Sequence, residues 1–79
     1  MQKSLSSTKQ KAFLKLLREI REEAGLRQTD IATRLTQPQS FVSKYESGER
    51  RLDLLELEKV CKACRVDLAD FVRRYLERT

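Results

Sequence analysis

Residues 28–47 read QTDIATRLTQPQSFVSKYES, and the architecture follows from their spacing. Ile31, Ala32 and Leu35 recur at helical intervals, so Gln28 to Leu35 form a short amphipathic helix. Thr36-Gln37-Pro38 interrupts it as a turn. Proline is favoured where a helix starts and disfavoured inside one, so a further helix begins near Gln39 and ends at Ser47-Gly48. Two short helices joined by a tight turn can cross steeply only if the residue at their contact is small, and Ala32 stands there. Ile31, Leu35, Val42 and Tyr45 close a small core beneath the turn. Gln39, Ser40, Ser43 and Lys44 are left on the outer face, all short or flexible hydrogen-bonding side chains grouped towards the start of a helix.

Outward from this segment the pattern stays helical, and no stretch shows the alternation of a half-buried strand. The fold class is all-α, with five short helices in one domain over residues 8–79 behind a flexible tail over residues 1–7. The first helix runs from about Thr8 to Ala24, opened by a Ser7–Gln10 capping box and stopped by Gly25. Phe13, Leu16, Leu17, Ile20 and Ala24 form its apolar stripe. Asp53 with Glu56 caps a fourth helix carrying Leu54, Leu57, Val60, Cys61 and Cys64. Asp67 with Asp70 opens a fifth, where Leu68, Phe71, Val72, Tyr75 and Leu76 face inward or towards a partner.

Composition narrows the function classes. The chain has 79 residues, 17 Lys plus Arg, 12 Asp plus Glu, two Cys and no His. A core this small is marginal and leaves no room for a large catalytic cleft. Without histidine, the commonest general base and metal ligand are missing. No Gly-rich phosphate loop is present either, so no enzyme, metal or cofactor is expected. No apolar run approaches the roughly 20 residues of a membrane span. The N-terminal residues lack the apolar stretch of a secretory signal, so a cytoplasmic location is expected. The net charge of +5 is confined to residues 1–51, since residues 52–79 hold six bases and six acids. Such a balance suits nucleic acid or an anionic membrane surface, and a solvated helical surface accounts for it equally well. Cys61 and Cys64 form a C-x-x-C, but zinc would need two more ligands. A redox site would need a strand-to-helix setting that the pattern lacks. They read as core cysteines.

Short polar side chains at a helix N-terminus suit entry into the major groove, where base edges show a distinct donor and acceptor pattern. LREIREEAGLRQTDIATRL, QPQSFVSKYESGERRLDLLEL and the closing ACRVDLADF agree together in order and spacing. On them, about Leu16 to Phe71 resembles the lambda-repressor-like helix-turn-helix domains, the Xre or Cro/CI family of bacterial and phage regulators. The resemblance implies a third helix that reads double-stranded DNA, with Gln39, Ser40, Ser43 and Lys44 at the base-contacting positions. It implies a phosphate contact at Gln28, which can also brace Gln39, and an internal ion pair between Arg21 and Glu46. Arg50 and Arg51 follow the third helix and are expected to clamp the sugar-phosphate backbone. Phe41 belongs either to local packing or to a thymine methyl contact.

Three positions depart from the family pattern. Thr36 stands where a glycine is common, at a cost of roughly 1 kcal/mol if it turns left-handed. Arg27 replaces the usual Ser or Thr cap, and Arg65 stands where a helix-stopping Gly is common. A homodimer is expected, with Phe71, Val72, Tyr75 and Leu76 as the candidate interface and two copies about 34 Å apart on a palindrome. The function implied is a sequence-specific transcriptional regulator, most simply a dimeric repressor. A protein-binding module or antitoxin-type partner, with DNA binding secondary, is the alternative from another class.

Overall fold

Helical periodicity becomes five helices in the computed structural model, which describes residues 7–79: α1 (Thr8–Glu23), α2 (Gln28–Leu35), α3 (Gln39–Ser47), α4 (Leu54–Ala63) and α5 (Leu68–Arg78). No strand occurs among the described residues. Residues 1–6 of the expected tail lie outside the described residues. Ser7 is the N-cap of α1, its Oγ accepting from the Gln10 N–H at 3.1 Å. Asp53 and Glu56 form the full reciprocal box at α4, each carboxylate accepting from the other's N–H at 2.7 and 2.9 Å. At α5, Asp67 accepts from Ala69 N–H, and Asp70 pairs instead with Arg73.

Three helices end in the same way. After α1, α2 and α4 the chain turns left-handed at Gly25, Thr36 and Arg65, with φ of 73°, 57° and 61°. In each case the next N–H reaches back five residues: Leu26 to Arg21 O, Gln37 to Ala32 O and Val66 to Cys61 O. This Schellman arrangement satisfies carbonyls that the helix end leaves open. Only Gly25 adopts it without a Cβ penalty. Thr36→Gly is therefore expected to stabilise the domain by roughly 1 kcal/mol, offset in part by the added freedom of the unfolded chain. Urea denaturation checks this, and a loss of stability would show that the Thr36 side chain does something glycine cannot. Gly48 has a different reason to be glycine: at φ 89° its Cβ would also come within 3.0 Å of Leu14 Cδ1.

The buried core is Leu16, Leu17 and Ile20 of α1, Ile31 and Ala32 of α2, Val42 and Tyr45 of α3, Val60 and Cys61 of α4, Cys64, and Phe71 of α5. Phe13 and Leu35 pack against it half-buried. Ala24, expected on the α1 stripe, is exposed, because the helix stops at Glu23 and the chain turns away at Gly25. Leu54 is 65% exposed, since the first turn of α4 projects beyond the core. Phe71, expected on a partner face, is 1% exposed and meets Phe13 edge-on at 6.0 Å, so it belongs to the core. Two ion pairs, Arg74–Glu23 and Arg78–Glu19, run along the α1–α5 seam.

Both cysteines are free and buried, and burial pushes their thiols up to about 12 for Cys61 and about 11 for Cys64. Such thiols stay protonated and unreactive at neutral pH. The hydrogen bonds of Arg78, Arg27 and Arg50 hold the Glu19, Asp30 and Glu56 carboxyls below their ordinary values, Glu56 at about 2. These signs set the pH response. Carboxyls depressed in the fold contribute stability above their unfolded values near 4, lost as pH falls towards 2. Thiols raised in the fold contribute stability below their unfolded value of 9.0, lost as pH rises through 11 to 12. With no histidine, Tm is expected to be flat from about pH 5 to 8 and to fall on either side. A midpoint that shifts between pH 6 and 7 would contradict this.

Candidate nucleic-acid interface

Ala32 of α2 is buried, and the start of α3 lies at the surface. Val42 and Tyr45 turn inward, while Gln39, Ser40, Ser43 and Lys44 are all exposed. At about 100° per residue these four occupy roughly 140° of arc, one continuous face. Pro38 occupies the N-cap with φ −69° and offers no side-chain cap, so the first amides of α3 point outward unpaired by a cap. Lys44 makes no ion pair among the described residues.

Behind this face a chain of hydrogen bonds runs from the interior to Gln39. Arg21 Nε and Nη2 donate to the two Glu46 oxygens at 2.7 and 3.1 Å, and Nη1 donates to Leu26 O at 3.0 Å. Gln28 Nε2 donates to Glu46 Oε1 at 3.1 Å, and Gln39 Nε2 donates to Gln28 Oε1 at 2.7 Å. The direction of this chain has a cause. A guanidinium only donates and an ionised carboxylate only accepts. Glu46 therefore takes the Gln28 amide nitrogen, Gln28 must turn its oxygen to Gln39, and Gln39 must turn its nitrogen to Gln28. Gln39 is left with one N–H and its Oε1, the pair that matches N7 and N6 of an adenine. The Arg21 and Glu46 side chains are only 11% and 7% exposed, so the anchor is shielded from water.

The α3–α4 loop holds Arg50 and Arg51. Arg50 donates to both Glu56 oxygens, at 2.7 and 3.1 Å, and to Arg51 O at 2.9 Å. Its guanidinium carbon lies 4.7 Å from the centre of the Phe41 ring. Arg50, expected to clamp the sugar-phosphate backbone, thus meets a carboxylate, a carbonyl and an aromatic ring of its own chain, with its side chain 42% exposed. Arg51 is exposed and has no ion pair among the described residues. Phe41 is half-buried, with its ring edge-on to Tyr45 at 5.6 Å. Arg27, lacking a hydroxyl to cap α2, has its own N–H held by Asp30 Oδ2 at 2.8 Å.

Sequence reasoning missed the Arg50–Glu56 pair and the Gln28–Glu46 link. Neither has a helical i, i+3 or i, i+4 spacing, the only local signal that would have pointed to them. No group of three or more metal-binding side chains occurs among the described residues, and none of their helices is long and apolar enough to cross a membrane.

Five helices with a solvent-facing third helix define a helix-turn-helix protein. The helix-turn-helix family HTH_3 matches residues 17–71. A solved XRE-family like protein from Pseudomonas syringae pv. tomato str. DC3000 is 42% identical, with a TM-score of 0.82 over 87% of this chain and 84% of that one. No curated protein matches the chain. The chain belongs to the XRE-like helix-turn-helix family, whose members are DNA-binding, generally non-enzymatic regulators of transcription.

Proposed function

We propose that the chain is a sequence-specific regulator that acts as a homodimeric repressor in the cytoplasm. The observation that carries this reading is the oriented chain ending at Gln39. It sets the ordering cost of a base-reading amide before DNA arrives. Gln39, Ser40, Ser43 and Lys44 meet base edges in the major groove, while Gln28 and Arg51 hold register through phosphates. One helix this short reads only a few base pairs, so two copies on a palindrome supply useful specificity. Val72 and Leu76, 39% and 62% exposed, support α5 as the pairing face, with Tyr75 at its half-buried edge. Repression follows from occupying a promoter and excluding polymerase.

Selection of bound duplexes from a random pool at near-physiological salt tests this. Enrichment of a palindrome with half-sites one turn apart is the expected result. Binding without an enriched sequence, together with a co-purifying protein, would replace it by the protein-binding alternative.

A further inference from the structure

Arg50 ties α3, the following loop and α4 together. Its backbone N–H donates to Lys44 O at 3.2 Å, in the last turn of α3. Its guanidinium stacks on Phe41, in the first turn of the same helix. It also grips Glu56, whose Oε1 accepts the Asp53 N–H and so belongs to the box that starts α4. The Arg51 carbonyl takes a third guanidinium hydrogen bond. Chain direction through the loop is thus set by one planar group, whose charge is balanced by the carboxylate it holds. Arg51 differs. It lines a shallow cleft with Lys9, Gln10 and Tyr75 that has no carboxylate in its lining.

We infer that Arg50 is a positioning residue of the DNA interface. Through Glu56 and Phe41 it holds the α3–α4 loop in the shape that presents Arg51 to a phosphate, and it neutralises no phosphate itself. This rests on the DNA-binding reading above. A bidentate, stacked guanidinium cannot be replaced by the point charge of a lysine, whereas a plain phosphate contact can.

The test measures affinity against salt concentration for the full chain on its selected duplex. It compares wild type, Arg50→Lys, the double variant Arg50→Gln with Glu56→Gln, and Arg51→Gln. The first two variants leave net charge unchanged. Each is expected to lose roughly three- to tenfold in affinity, the cost of reordering one or two side chains on binding. Their salt slope should match wild type. Arg51→Gln should lower the slope by about one unit, one released counterion. Amide exchange in residues 49–53 should quicken in the first two variants and not in Arg51→Gln. Wild-type affinity in Arg50→Lys, with about one unit of slope lost in the double variant, would make Arg50 a phosphate contact and overturn the inference. A wild-type chain that binds no duplex even at low salt would instead remove the DNA reading, and this inference with it.

Discussion

Glu46→Ala is expected to destabilise the domain by about 3–5 kcal/mol, the usual cost of leaving one member of a buried ion pair without its partner. The Arg21 side chain, 11% exposed, would keep its charge, since nothing deprotonates a guanidinium near neutral pH. Its bond to Leu26 O would survive, but two charge-assisted bonds would go. Domains of this size have only about 5–15 kcal/mol in total, so the variant should unfold at much lower urea. The pair Arg21→Met with Glu46→Leu separates two consequences. Apolar residues of similar volume remove the buried charges together, so much of the stability should return. Base discrimination should not, because Gln28 then has no acceptor to fix its amide. A Glu46→Ala loss below about 1 kcal/mol would show that water reaches Arg21 and that the anchor is weaker than its burial implies.

Gln39→Ala is expected to cost roughly 1–3 kcal/mol of binding and to relax the preference at one base pair of each half-site. The fold should be untouched, since Gln39 is exposed and packs on nothing in the core. Gln39→Glu is the sharper probe. It keeps the shape but offers no donor to Gln28 Oε1, so either that bond is lost or Gln28 flips and forfeits Glu46. Selection from a random pool with each variant reads both outcomes. If Gln39→Ala leaves the preference as it was, the start of α3 is not what lies in the groove.

Much of this molecule was legible because its signals are local. The bounds Gln28, Leu35, Gln39 and Ser47 came from apolar spacing and one proline. Ser7, Asp53 and Asp67 cap amides two or three residues away, within reach of the chain's own neighbours. The left-handed turns at Thr36 and Arg65 stood where the family places glycine, and both residues adopt positive φ. Less legible was how wide each apolar stripe is. Periodicity put Phe71, Val72, Tyr75 and Leu76 on one side of α5, but only packing against Phe13 separated the buried Phe71 from the exposed Leu76.

By itself, the sequence determined five helices, their caps and stops, and which face of α3 is polar, because each depends on contacts within one or two turns of chain. Tertiary structure alone determined the direction of the Gln39 amide. That direction descends from Arg21 through Glu46 and Gln28, across separations of 25, 18 and 11 residues. It likewise set the use of Arg50, which depends on the loop carrying it back to Glu56 and over Phe41. Donor and acceptor chemistry is written in residue type, but which donor meets which acceptor is settled only when distant segments are packed together.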